Sequence, residues 1–304
     1  MISFRYHLVS ISAVFLALAL GVLVGTTVVN QGIIDDLRNR TDSVTQNAEN
    51  LRKQVEDMQG KLAVAQTFES TVLPALVQDQ LTGTEITLVA QADVDAAAVE
   101  SVRRVLEESG ATVVAEVVVT NRMSLSDDRS RSDLARALGT VDSAIPEQLA
   151  QAAATAVAAR LAAGPATDGT DLLDSLHSAG FVVIRGGSST AAIGGPSQAV
   201  VLLAGSDRDS GLDPGLFLVP LATALVQESR PVAAAETEES AVPFVLLLRD
   251  GDADGQLVTV DNADQMPGKV ALVYGLRDLL ASPGNGGDYG VKTGASSLIP
   301  RSQP

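Results

Sequence analysis

The chain has 304 residues, enough for a membrane element and one or two further domains. A formal charge of −16, from 37 acidic against 21 basic residues, argues against a nucleic-acid-binding surface. Cysteine and tryptophan are absent, histidine occurs only as His7 and His177, and aromatics are 3%. That composition excludes disulfides, thiolate metal sites and thiol nucleophiles, and it is thin for a lipid-facing barrel.

Residues 1–7 form a short start carrying Arg5, read as cytoplasmic. From Leu8 to Val29 no residue is charged. As a helix this run is about 33 Å long, against roughly 30 Å of bilayer hydrocarbon. A secretory signal has a shorter apolar region ending in a small-residue cleavage site, and no A-x-A-like site closes this run. A buried core helix of this length would carry a polar face, and here only Ser10, Ser12, Thr26 and Thr27 are polar. Residues 8–29 therefore read as an uncleaved membrane anchor in contact with lipid, a cleaved signal being the alternative. Basic residues lie on both sides, Arg5 before and Arg38 and Arg40 after, so charge counting orients the segment only weakly. The short cationic start favours a signal anchor with the bulk of the chain outside the cytoplasm.

Residues 33–72 keep a 4,3 apolar spacing. One row is Ile34, Thr41, Ala48, Val55 and Leu62, the other Leu37, Val44, Leu51, Met58 and Ala65. These are the a and d positions of a coiled coil, with Glu, Arg, Lys, Asp and Gln around them. Such a narrow stripe needs a partner. The expected one is another copy of the chain, packed on Ile34, Leu37, Val44, Leu51, Val55, Met58 and Leu62; the alternative is an amphipathic helix lying on its own globular domain. Pro74 reads as the helix stop.

From residue 84 the periodicity changes. Ile86–Ala90 reads as a strand, DVDAAAVESVRRVLEESG as a helix ending at Gly110, and ATVVAEVVVT as a second strand, together a βαβ unit. Further on come the helix LLDSLHSAG, strands at Phe181–Ile184 and Ala199–Gly205, an apolar helix near Phe217–Glu228, a strand at PFVLLLRD, the strand LVTV and the helix GKVALVYGLRDLLAS. Uninterrupted β-branched runs suit strands covered on both faces, so residues 84–281 read as a doubly wound, mostly parallel, Rossmann-like α/β domain. Residues 127–164 read as a helical insertion, and the Gly- and Pro-rich residues 282–304 as a loop or tail.

Few residues carry recognisable chemistry. The first strand leads into QADVD instead of a G-x-G-x-x-G turn, and its acidic pair would repel phosphate. RGGSSTAAIGG (Arg185–Gly195) has glycines after a strand, but its spacing matches no phosphate loop and it reads as plain loop. In RDGDADGQLVTVD, the residues Asp250, Asp252, Asp254 and Asp261 occupy positions 1, 3, 5 and 12 of a calcium loop, with Gly255 at position 6. The short Asp at position 12 and the expected flanking strands equally describe an acidic hairpin turn. No Ser-His-Asp spacing, zinc triad or nucleophile elbow occurs, so the residues point away from an enzyme and from a bound cofactor.

The opening MISFRYHLVSISAVFLALALGVLVG with the heptads behind it, and the closing VDNADQMPGKVALVYGLRDLL followed by GGDYGVKTGA, resemble the MctB family (mycobacterial copper transport protein B) over essentially the whole chain. The family is described as channel-forming envelope proteins of actinobacteria. The resemblance implies copper as a transported ion, copper efflux or homeostasis, and an envelope location outside the cytoplasm. It assigns no copper ligand here. Cu(I) favours thiolate and thioether, and Cu(II) imidazole; this chain offers two distant histidines and the unpaired methionines Met1, Met58, Met123 and Met266. An outer-membrane barrel needs many alternating segments of about ten residues and aromatic girdles, whereas the strands here alternate with helices. The competing expectation is an oligomeric envelope scaffold whose acidic domain binds an unidentified protein and never handles copper.

Overall fold

A computed structural model describes residues 4–140, 145–167, 169–186, 190–205 and 211–300, and only the backbone of residues 26–36. The chain divides into two units, Met1–Phe68 and Glu69–Pro304. The described residues of the first belong to α1 (Phe4–Val77), which continues into the second. Pro74 lies inside α1 and does not stop it. Leu73 and Val77 flank the proline and are buried in the second unit's core. Burial of roughly 1.5–3 kcal/mol per side chain offsets the proline's cost of about 3 kcal/mol.

The second unit holds a seven-stranded sheet and the helices that cover it. Its elements are β1 (Glu85–Gln91), α2 (Ala96–Glu108), β2 (Thr112–Val119), α3 (Asp128–Leu138), α4 (Pro146–Ala163) and α5 (Leu172–Ser178), then β3 (Val182–Arg185), β4 (Gln198–Ala204), α6 (Leu218–Gln227) and β5 (Val232–Glu236). The chain closes with α7 (Val245–Arg249), β6 (Val258–Val260), α8 (Met266–Ala281) and β7 (Gly287–Tyr289). The strand order is β3-β2-β1-β4-β5-β6-β7. All neighbours run parallel except β2 and β3, which are antiparallel.

Side chains alternate along a strand, so a strand buried on both sides feeds two cores. Val89, Val200 and Leu202 face one core with α3 to α7, whereas Leu88, Val201 and Leu203 face the other with the end of α1, α2 and α8. The mixed α/β architecture and mostly parallel sheet thus follow the sequence pattern. Residues 127–164 do not stand apart as an insertion. They supply α3 and α4, whose Leu134, Leu149, Ala153 and Leu161 are integral to the first core.

Two strand assignments change. VLLLR is the short helix α7, started by the Glu236 side chain, which accepts from Phe244 N and Val245 N at 2.8 and 3.0 Å. The glycine-rich end is not merely a tail, because Gly287–Tyr289 adds the edge strand β7 against β6.

Candidate functional site

The first candidate surface is α1 itself. Phe4–Gly25 is long and apolar enough to cross a membrane, and none of it is buried. His7 belongs to this stretch. Beyond it, Leu37, Val44, Leu51, Val55, Met58 and Leu62 are between 49% and 67% exposed, which no globular core residue would be. Ile34 has its side chain outside the described residues, as do positions 26–29 of the anchor. Arg52 pairs with Glu56 at 3.1 Å and Lys61 with Asp57 at 2.8 Å, one turn apart, so these charges are compensated along the helix.

A second candidate lies at the carboxyl ends of the parallel strands, where β1 and β4 diverge in connection direction. Ligands of open α/β sheets bind at this position. The cleft there has a volume of about 800 Å³ and is lined by Asp93, Asp95, Ser101, Thr237, Glu238 and Asp264, among others. Its start is already engaged: Asp95 caps α2 by accepting from Ala97 N at 2.9 Å. Helix N-terminal N–H groups and an absent carboxylate are what a pyrophosphate would need. Asp95 fills the first and Asp93 opposes the second. Asp93 accepts from Asn121 at 3.0 Å through one oxygen, while the other oxygen is enclosed with no hydrogen-bond partner among the described residues. The cleft therefore suits cationic or donor groups and repels anions.

Beside this cleft the carboxyl-terminal segment is clamped by a buried network. Arg249 donates to Asp261 Oδ2 at 2.9 Å, to Thr259 Oγ1 at 2.8 Å and to Tyr289 O at 2.8 Å. Asp261 also accepts from Val291 N and Lys292 N at 2.7 and 3.0 Å. Lys292 reaches Glu236 at 2.8 Å. Gly290 sits at φ +131 and a Cβ there would meet Asp261 Oδ1 at 2.0 Å, so only glycine lets this turn close on the carboxylate. Nearby, burial and then Asp278 and Asp288 push the Tyr289 hydroxyl above its ordinary value.

The structure does not gather the four aspartates of the calcium-loop pattern. Asp250 follows α7 as its cap residue and is exposed with Asp252 and Asp254, whereas Asp261 is buried in the Arg249 network at the end of β6. Among the described residues no three His, Cys, Asp or Glu side chains are grouped to hold a metal. Millimolar Ca²⁺ is accordingly expected to leave the thermal unfolding midpoint unchanged; a rise of several degrees that disappears in Asp254→Ala would show that the loop rearranges around the ion.

The remaining sequence candidates are separated. The histidine at 177 meets Val182 O through Nδ1 at 3.1 Å, joining α5 to β3. Met123 is in the first core, Met266 packs against the second, Met58 is exposed on α1, and Met1 lies outside the described residues. In the loop Arg185–Gly195, whose residues 187–189 are not described, Gly194 N donates to Gln198 and Gly195 N to Leu161 O, so these two groups are not free for an anion. Sequence reasoning missed Arg249, Glu236 and Lys292; an Arg and a Glu at the ends of otherwise apolar runs were the available signal.

A sequence profile described as "Copper transport outer membrane protein, MctB" matches residues 1–300. The chain belongs to the MctB family. Proteins named "Copper transporter MctB" in Mycobacterium bovis and Mycobacterium tuberculosis are each 26% identical to it over 314 residues, covering 98% of this chain and 99% of the relative. The protein of that name in Mycobacterium leprae is 27% identical with the same coverage. Asp261 of VDNADQ holds the backbone of GVKTG, which fastens the chain after β7 to the end of β6.

Proposed function

We propose that this MctB-family chain is a single-pass envelope protein that acts in copper transport or efflux and so in copper homeostasis. The observation that carries the reading is the family match over residues 1–300 together with near-complete coverage of relatives named as copper transporters. In this reading residues 8–29 anchor the chain, 33–72 form a coiled-coil neck that joins copies, and 84–281 are an extracytoplasmic, doubly wound, Rossmann-like domain without nucleotide chemistry. The strand order supports the last point, as does an acidic cleft where a pyrophosphate would otherwise bind. A strain lacking the gene is expected to accumulate more cell-associated copper and to tolerate less of it. Unchanged copper content and tolerance would sink the proposal.

One observation favours a second reading, a scaffold that supports copper handling without touching the ion. The chain has no thiolate, and its described histidines and methionines are scattered: His7 and Met58 at distant points of α1, His177 on α5, Met123 between β2 and α3, and Met266 on α8. Equilibrium dialysis of the purified chain against Cu(I) and Cu(II) separates the two. A scaffold binds no more tightly than scattered carboxylates do, whereas a saturable stoichiometric site assigns the copper step to this chain.

A further inference from the structure

We propose that a second cleft, lined by the end of α8, the turn after it, β7 and the closing segment, binds a neutral polyhydroxylated ligand, a short oligosaccharide. The site is separate from the acidic cleft and does not depend on the copper reading. Its volume is about 680 Å³, within the range of small-molecule pockets.

Two local features build it. The chain leaves α8 through Ser282-Pro283-Gly284-Asn285, where Gly284 has φ +79 and Asn285 N donates to Ser282 O at 3.1 Å. Proline followed by a left-handed glycine closes a tight turn, which sets Ser282 and Asn285 at its two ends, both on the cleft. Tyr289 of β7 lies where glycines leave room for its ring. A Cβ on Gly287 would run into the Tyr289 hydroxyl, and one on Gly275 would come within 3.1 Å of the ring.

The lining suits hydroxyl recognition. Arg277 and Asp278 are its charged residues among those described, and they cancel: Arg277 Nε and Nη2 donate to Asp278 Oδ1 at 2.9 and 2.6 Å. Gln80 at 2.7 Å and the Tyr274 ring at 4.5 Å hold the guanidinium, so Asp278 is positioned in turn. Asp278 Oδ2 has no hydrogen-bond partner among the described residues, nor have the Ser282 hydroxyl, the Asn285 amide and the Tyr289 hydroxyl. Burial, with Asp278 and Asp288 adding to it, keeps the Tyr289 hydroxyl protonated and therefore a donor. The cleft thus presents a carboxylate acceptor, an amide that donates and accepts, and two hydroxyls. Neighbouring sugar hydroxyls, each donor and acceptor at once, match that set. A lipid chain finds no Leu, Ile, Val, Met or Phe in the lining, and a phosphate or ammonium ion finds its attraction cancelled by the Arg277–Asp278 pair.

The full-length chain in lipid nanodiscs, free of glycoside detergent, would be mixed with maltose, cellobiose or N,N′-diacetylchitobiose, and saturation-transfer NMR would read binding. Transfer to at least one of the three is expected, with affinity reduced about tenfold by Asp278→Asn or Asn285→Ala. Asn285 is exposed at the end of a turn, so its variant keeps the fold and decides the outcome if Asp278→Asn shifts the urea midpoint. No transfer to any of the three, or transfer that both variants leave unchanged, overturns the site. Competition by inorganic phosphate or by spermidine at the sugar's own concentration overturns the neutral class of ligand.

Discussion

Asp261→Ala is expected to destabilise the α/β unit by about 3–5 kcal/mol, the range for leaving one partner of a buried ion pair uncompensated. The Asp261 and Arg249 side chains are 0% and 3% exposed. The substitution also strands the N–H groups of Val291 and Lys292, which have Asp261 as their acceptor. Urea unfolding of the full chain in detergent, followed by circular dichroism, measures the loss. Amide exchange at Val291 and Lys292 should quicken more than in the cores, since Asp261 fastens their backbone to the end of β6. Asp250→Ala, in the same acidic stretch but exposed, is expected to stay within about 0.5 kcal/mol. Equal effects from the two would falsify the assignment of a buried clamp. Removing both charges with Arg249→Met and Asp261→Val should recover part of the loss, because no unpaired charge then remains.

Asp171→Ala is the second large effect, again about 3–5 kcal/mol near neutral pH. Arg160 Nε donates to Asp171 Oδ2 at 2.5 Å, with side-chain exposures of 7% and 10%. The same guanidinium holds the Ile193 carbonyl at 2.8 Å and the Thr190 carbonyl at 3.2 Å, and Asp171 caps α5 through Leu173 N at 2.8 Å. One pair thus joins α4, the start of α5 and the loop before β4. Desolvation is the largest single influence on the Asp171 carboxyl and acts upward, but hydrogen bonds from Arg160, Ala166 and Leu173 together carry it below the ordinary carboxylate value. The sign follows from that depression. The unfolded carboxyl titrates near pH ~3.9, so the stabilisation is complete above that value and is lost as pH falls through the lower folded value. Urea midpoints of the parent and Asp171→Asn should differ most above about pH 5 and converge as pH falls through the depressed folded value. A difference that does not change with pH would show that shape, and not charge, makes the contribution.

Much of the fold is legible in the residues. The β-branched runs at Ile86–Ala90 and Ala199–Gly205 became central strands, and α2 and α8 end within a few residues of the expected positions. Strand β5 escaped notice because VAAAE has weak strand propensity and no alternation. It is a strand because β4 and β6 pair with it on both sides and all five residues are buried. VLLLR failed in the opposite sense. Its apolar run fits a strand or a buried helix equally, and the Glu236 side chain on its first amides decides for the helix. The calcium-like spacing does not bring its four aspartates together in the fold. A spacing pattern does not record that Arg249, one residue before the pattern, folds across to Asp261.

By itself the amino-acid sequence determined the local properties: a charge-free helix at the start, a heptad stripe behind it, a layered α/β remainder, and the absence of thiol chemistry. These follow from periodicity and composition, which short-range geometry converts directly into faces. Only the tertiary structure decided which polar residues are partners. Arg160 with Asp171, and Arg249 with Asp261 and the turn at Gly290, join segments that periodicity treats as separate. Their cause is desolvation: a charge carried into the core by its strand or helix must find its counter-charge there, and only the packed arrangement supplies one.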